Sequence, residues 1–100
     1  KMNTKIEATN GTKPSLKITA KCARGSAREF RAAVYRLAAQ IEETTPKNAA
    51  WALEIAGESF ECWGPADQTT FSATIRIETL TDFDAEKRAA SAHLARFASA

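Results

Sequence analysis

The stretch that decides the fold runs over residues 16–22, which read LKITAKC, and residues 26–44, which read SAREFRAAVYRLAAQIEET. The first segment alternates apolar and polar side chains, which predicts a β-strand with one buried face. The second segment repeats large apolar residues at helical spacing: Phe30, Val34, Leu37 and Ile41. This spacing predicts an amphipathic helix, and Ser26 and Glu29 have the separation of a capping box at its start.

Working outward, the second half of the chain predicts three more strands and a second helix. Residues 51–56 and 59–63 alternate on either side of Gly57-Glu58, which suits a two-residue hairpin and places Glu54 opposite Glu61. Residues 71–77 predict a further strand. Thr81 or Asp82 then caps a helix with a stripe of apolar residues: Phe83, Ala90, Leu94 and Phe97.

These elements predict an α+β fold, a two-layer sandwich in the order strand, helix, three-stranded antiparallel meander, helix. Both helices should cover one face of a four-stranded sheet, because each element has one apolar face to bury. We expect a single domain over residues 14–100, and a flexible tail over residues 1–13 with an edge strand as the alternative. The predicted core consists of Leu16, Ile18, Phe30, Val34, Leu37, Ile41, Leu53, Ile55, Phe60, Phe71, Ile75, Ile77, Leu94 and Phe97.

Charge is unevenly distributed along the chain, although the net charge is only +2. Residues 1–36 contain nine basic and two acidic groups, a net charge of +7, whereas residues 37–100 contain five basic and ten acidic groups, a net charge of −5. Such asymmetry is typical of a surface that docks an acidic partner. The polar start of the chain predicts no secretory signal, and the absence of a long apolar run predicts no membrane span. We therefore expect a cytoplasmic location.

The sequence offers little material for catalysis or cofactor binding. Cys22 and Cys62 fall in different predicted strands, so we expect buried, reduced thiols. The sequence contains no Cys/His cluster, so no metal site is predicted. His93 is the single histidine and falls beside the apolar stripe of the last helix, where a packing role is the ordinary one. The four glycines are scattered and form no nucleotide-binding fingerprint, so no cofactor is expected.

Two surfaces are the candidate binding sites. On the first helix, Arg28, Arg31 and Tyr35 share the face opposite the apolar stripe, and Arg24 precedes them. Arginines next to an aromatic ring suit a phosphate backbone or an acidic protein patch, although a solvated helix face is the simpler interpretation. The exposed sheet face should carry the second set: Trp63, Lys17 and Lys21.

One resemblance to a known family runs through residues 26–98. Gly64-Pro65 followed by Phe71, Ile75 and Ile77 is similar to the second-strand region of double-stranded-RNA-binding domains, and the helix–strand–strand–strand–helix order is similar too. At the positions where that family contacts phosphate, this chain has Asp67 and residues 82–84, which include two aspartates. Because carboxylates repel phosphate, we carry over no function from the resemblance.

The leading hypothesis is therefore a non-catalytic protein-binding module. Small inhibitors encoded by phages and mobile elements are proteins of this kind. It would act by occupying a protein partner with an acidic surface. A nucleic-acid-binding protein that uses the basic first third is the alternative, and a thiol enzyme that combines Cys22 or Cys62 with His93 is the third hypothesis. The exposed sheet also offers an edge or a face for dimerisation.

Overall fold

A computed structural model describes residues 3–10, 13–22, 24–60 and 69–99 of the chain. Two strands open it, followed by a helix, two further strands and a second helix. In chain order they are β1 (Asn3–Asn10), β2 (Pro14–Cys22), a short 3-10 turn (Arg24–Ser26), α1 (Ala27–Thr44), β3 (Ala52–Phe60), β4 (Thr69–Glu78) and α2 (Asp84–Ala95).

The four strands form one antiparallel sheet in the order β1-β2-β4-β3. Buried residues of β2, β4, α1 and α2 form a single apolar cluster, so both helices lie on the same face of the sheet. The predicted α+β class and its two-layer arrangement are confirmed. The order of elements differs: within the described residues two strands precede α1 and two follow it, so the helix–strand–strand–strand–helix order is not found there.

Strand β4 lies at the centre of the sheet and forms the floor of the core. Its side chains alternate strictly, and those at odd positions from Thr69 to Ile77 are buried. Among them, Phe71 is 1% exposed and its ring lies 5.5 Å from that of Phe30 on α1. The contact joins the first helix to the central strand.

The predicted hairpin at Gly57-Glu58 is wrong. Strand β3 continues through this dipeptide, and its pairing with β4 shifts register between Ala56 and Ser59. Gly57 has φ of +63°, which is a left-handed conformation used here in a bulge instead of a turn. Glu54 consequently pairs with Arg76, whereas Glu61 lies outside the described residues.

The fourth strand of the sheet comes from the N-terminal segment. Residues 3–10 form β1 at the sheet edge, which is the edge-strand alternative to a tail. Ile6 donates its N–H to Ser99 Oγ at 2.9 Å, and Ser99 donates its own N–H to the Ile6 carbonyl at 2.9 Å. Strand β1 is thus held on one side by β2 and on the other by the C-terminal segment.

Most of the predicted core is confirmed, with differences at its margins. Leu37, Leu53, Ile55 and Phe97 are only partly buried, and the side chain of Phe60 lies outside the described part of the structure. The fully buried members are Leu16, Ile18, Phe30, Val34, Ile41, Phe71, Ile75, Ile77 and Leu94.

The starts of both helices differ from the prediction. Ser26 occupies the N-cap position of α1, but within the described residues its side chain forms no capping hydrogen bond, so the predicted capping box is not formed. Phe83, predicted to be buried in the stripe of α2, instead precedes the helix and is exposed.

Replacement of Phe71 by alanine should lower the free energy of unfolding by about 3–5 kcal/mol, because the ring is fully buried against Phe30 and leaves a cavity. Thr74→Ala is the matched control on the opposite face of the same strand, where we expect a change within about 0.5 kcal/mol. Urea denaturation of the three proteins measures both effects. Equal midpoints for Phe71→Ala and the wild type would contradict the assignment of the β4 faces.

Replacement of Gly57 by alanine should destabilise the fold by about 1–2 kcal/mol, because a Cβ is strained at positive φ. Gly25→Ala is the control: its φ is not positive and a Cβ there would meet no atom within 4 Å. We expect Gly25→Ala to be neutral or slightly stabilising. If the two substitutions had the same effect on the melting temperature, the bulge at Gly57 would be refuted.

Candidate functional site

The α1 surface, which we define as Arg28, Arg31 and Tyr35, lies on the outer side of the helix layer. All three side chains are exposed, and Tyr35 retains 52% of its accessible surface. Arg24 belongs to the 3-10 turn before the helix, and its side chain lies outside the described part of the structure. The helical periodicity that buries Phe30 and Val34 therefore also directs the α1 surface to solvent.

The two lysines that the sequence assigns to the exposed sheet face lie there. Lys17 and Lys21 project from β2 on the face of the sheet that the helices leave open. Helix α1 and the sheet itself therefore separate them from the α1 surface. Among the described residues, Arg28 and Arg31 thus lie on one face of the molecule, and Lys17 and Lys21 on the opposite face.

The open sheet face is polar and internally paired. Arg76 on β4 contacts the carboxylate of Glu54 on β3 at 3.4 Å, so a cation of the same sheet balances the charge of Glu54. A hollow of about 350 Å³ on this face is lined by Lys5, Thr19, Ala20, Lys21 and Thr70. Trp63, the predicted hot spot of the same face, lies outside the described residues.

His93 joins the ends of the two helices. Its ring is 6% exposed, and Nε2 donates a hydrogen bond to the Ile41 carbonyl at 3.1 Å in the last turn of α1. Nε2 also lies 3.4 Å from Thr44 Oγ1, and the ring packs against Trp51 at 6.0 Å and Phe97 at 5.6 Å. Nε2 is thus engaged by the end of helix α1.

The third hypothesis, a thiol enzyme, requires a cysteine beside His93. Cys22 pairs with Thr69, at the start of β4. His93 packs on Trp51. The residue after Trp51, Ala52, pairs with Glu78 at the other end of β4. These strand ends are nine positions apart, about 30 Å at the rise of an antiparallel strand. His93 and the backbone of Cys22 are therefore not brought together, and Cys62 lies outside the described residues.

Two further features are absent from the described ranges. Residues 3–10, 13–22, 24–60 and 69–99 contain no group of three His, Cys, Asp or Glu side chains that could hold a metal ion. In the same part of the chain, neither α1 nor α2 is long and apolar enough to cross a bilayer.

Among the described residues, the two most exposed large apolar side chains lie in a segment where the sequence predicts the start of the second helix. Leu80 and Phe83 lie in residues 79–83, which connect β4 to α2 and which we call the Leu80–Phe83 loop. Leu80 is 75% exposed and Phe83 is 73% exposed. Isolated apolar residues are common on protein surfaces, but two large ones in a single short loop form a candidate contact site.

Hydrogen bonds hold this loop in shape. Thr79 Oγ1 donates to the Thr81 carbonyl at 2.7 Å, and Thr81 Oγ1 donates to the carboxylate of Glu86 in the first turn of α2. The Phe83 N–H donates to Thr81 Oγ1 at 3.4 Å. Both ends of the loop are therefore tied to regular structure, and Leu80 and Phe83 are presented from a constrained backbone.

The surroundings of the loop are charged. Asp82 is fully exposed and its carboxylate lies 3.6 Å from Lys87 Nζ, while Asp84 is exposed at the start of α2. Beneath the loop, a hollow of about 220 Å³ is bordered by this ion pair and by Lys13 and Glu78, whose charged atoms are 3.4 Å apart. A hollow below roughly 300 Å³ is small for an organic ligand.

The sequence does not reveal this loop, because Phe83 fits the spacing of the apolar stripe of α2. Phe83 precedes Ala90 by seven residues, a spacing that extends the helical stripe backward by two turns. The contrary signal was Asp82 and Asp84 on either side of Phe83, because acidic residues favour the start of a helix over its interior. A helix that begins at Asp84 leaves Phe83 outside the apolar stripe.

Comparison of the chain with protein-family models, curated proteins and solved structures gives no significant match. The surfaces described above are therefore the basis for a functional assignment.

His93 should contribute to stability, whatever the function of the surfaces. His93→Ala removes the hydrogen bond to Ile41 and a ring packed between Trp51 and Phe97, so the free energy of unfolding should fall by about 2–3 kcal/mol. Arg96→Ala, an exposed substitution one turn later, should change it by less than about 0.5 kcal/mol. Denaturation with urea measures the difference, and a wild-type midpoint for His93→Ala would disprove the structural role.

Proposed function

We propose that this chain is a non-catalytic protein-binding module that acts by occupying a macromolecular partner, with Leu80 and Phe83 as its anchor residues. The observation that carries the proposal is the exposure of both side chains on one hydrogen-bonded loop. Aromatic residues are enriched at the buried centres of protein interfaces, and a few such residues provide most of the binding free energy.

Burial of the two side chains gives a sufficient driving force. Full burial of a leucine or a phenylalanine contributes about 1.5–3 kcal/mol each. Because the backbone of the loop is already constrained through Thr81, less conformational entropy is lost on binding than for a mobile loop. The loop thus supports a pre-organised contact.

The charges beside the loop specify the chemistry of the partner. Asp82 and Asp84 flank Phe83 and are exposed, so a complementary surface has an apolar cleft with a basic rim. Complementary charge of this kind mainly raises the association rate and excludes wrong partners. A phosphate backbone would meet these carboxylates with repulsion, which favours a protein over a nucleic acid at this site.

The two surfaces suggested by the sequence provide weaker support. Arg28 and Arg31 on α1 and Lys17 and Lys21 on β2 lie on opposite faces, so one nucleic-acid backbone could not contact both sets at once. The α1 surface stays a candidate for an acidic protein patch, with the exposed Tyr35 at its C-terminal end. It is therefore the natural comparison in an experiment on the Leu80–Phe83 loop.

A photo-reactive amino acid at position 80 or position 83, in the full chain within its native cells, should form an adduct with one partner protein. The same amino acid in place of Ala39, which is exposed on α1, is the control. With that partner purified, Leu80→Ser combined with Phe83→Ser should weaken binding at least about 30-fold, or about 2 kcal/mol. The fold should persist, because both side chains are exposed and such changes shift stability by about 0.5 kcal/mol.

Arg28→Glu combined with Arg31→Glu separates the two surfaces. If the Leu80–Phe83 loop is the site, this variant should keep affinity close to that of the wild type. A loss of affinity in the arginine variant alone would move the site to the α1 surface. Binding that disappears after nuclease treatment and falls log-linearly with salt would instead indicate nucleic acid. The proposal also fails if positions 80 and 83 give no adduct beyond the control.

A further inference from the structure

The two edge strands of the sheet differ in how they are protected. On the outer side of β1, Ser99 binds both backbone groups of Ile6. The Ile6 N–H donates to Ser99 Oγ, and the Ile6 carbonyl accepts from the Ser99 N–H and, at 3.1 Å, from the Ser99 hydroxyl. Lys5 and Glu7 also expose charged side chains along this strand. Coverage and charge are the usual means by which proteins block an edge from pairing with another chain.

Within the part of the chain that the structure describes, strand β3 at the opposite edge has neither form of protection over residues 52–56. This segment reads ALEIA and contains one charged residue, Glu54, which already contacts Arg76 on its own sheet. Among the described residues, no backbone hydrogen bond from a loop or a terminus reaches it. The outward N–H and C=O groups of an edge strand favour pairing with a further strand.

The core is also less complete at this edge. Leu53 and Ile55 project toward the helices but are only partly buried, whereas their cross-strand neighbours Ile77 and Ile75 are 1% and 0% exposed. Helix α1 packs over β3 and β4, and its residue Leu37 is partly buried as well. An additional strand beside β3 would remove more of this apolar surface from water.

We propose that the exposed edge of β3 is a homodimer interface, in which a second copy of this chain pairs its own β3 antiparallel about a two-fold axis. The two four-stranded sheets then join into one, with the helices of both copies on the same side. A two-fold axis makes the interface self-complementary, so a single unprotected edge on each copy suffices and the assembly closes.

Side-chain charge selects the register of the pairing. If the axis passed through Glu54, the two carboxylates would face each other, and like charges in direct opposition are destabilising. If the axis passes through Ile55, Ile55 faces its own copy and Glu54 faces Ala56. This register places apolar side chains opposite one another on the core face. The bulge at Gly57 ends the regular edge, so in this register the regular pairing covers residues 54–56.

Sedimentation of the purified wild-type chain over a thousandfold range of concentration tests the assembly without any other partner. We expect the weight-average mass to rise from monomer to dimer, with a midpoint at high micromolar concentration because a strand pair of three regular positions is a small interface. Hydrogen exchange of β3 amides within residues 52–56 should slow as the dimer forms, while exchange of β1 amides should not change. Strand β1 is the internal control, since it is the other edge of the same sheet.

Disulfide trapping tests the register. In a Cys22→Ser, Cys62→Ser background, Ile55→Cys should form a cross-linked dimer on oxidation, because directly opposed Cα atoms lie about 4.5–5.5 Å apart. Glu54→Cys is the matched control. In this register position 54 lies diagonally from its copy, roughly 7–8 Å away and beyond disulfide reach. We expect about tenfold more cross-linked dimer from Ile55→Cys.

Three results would overturn the proposal: a monomer at every concentration, concentration-dependent exchange at β1 and not at β3, or equal trapping at positions 54 and 55. Loss of self-association in the Leu80→Ser, Phe83→Ser variant would overturn it too, by placing the contact between copies at the Leu80–Phe83 loop. Because sedimentation requires only the chain itself, its outcome is separate from that of the partner-binding experiments.

Discussion

The strict alternation of side chains along β4 is the constraint on which the rest of the structure depends. This strand lies between β2 and β3, and every odd position from Thr69 to Ile77 is buried beneath the helices. A shift of one residue in its pairing would direct Arg76 and its neighbours into the core and Phe71 into solvent. The energetic difference between the two registers fixes the strand, and the strand in turn fixes where both helices can pack.

Because the helices cover one face only, the polar residues are distributed over surfaces that face in different directions. The α1 surface looks away from the sheet, and Lys17 and Lys21 lie on the open side of it. The net charge of +7 over residues 1–36 is therefore a property of the sequence segment and not of one surface. This division weakens the case for a nucleic-acid interface more than any single residue does.

The features with the most binding potential lie at the margins of the sandwich, where its regular elements stop burying apolar groups. At the connection from β4 to α2, hydrogen bonds through Thr81 hold Leu80 and Phe83 in solvent. At the β3 edge, Leu53 and Ile55 are partly buried beside unpaired backbone. Both sites combine exposed apolar surface with a backbone that is already ordered, which reduces the entropic cost of association.

The sequence by itself determined α1, β2 and β4, because each shows its own period of apolar residues and the period depends only on local backbone geometry. The same periodicity correctly placed Arg28, Arg31 and Tyr35 on the outer side of α1. The tertiary structure alone decided three other features. Strand β1 has weak apolar alternation and is held by pairing with the neighbouring β2 and by hydrogen bonds to Ser99 at the far end of the sequence.

The other two features concern single residues whose local signals are ambiguous. Gly57 permits positive φ in a hairpin turn and in a bulge alike, and only the pairing of β3 with β4 on both sides of it selects the bulge. Phe83 fits the helical stripe of α2 by spacing, but the helix begins one residue later, at Asp84. The register of β3 depends on its pairing with β4, and the start of α2 on hydrogen bonds of Thr81 with Phe83 and Glu86, and the spacing of apolar residues displays neither.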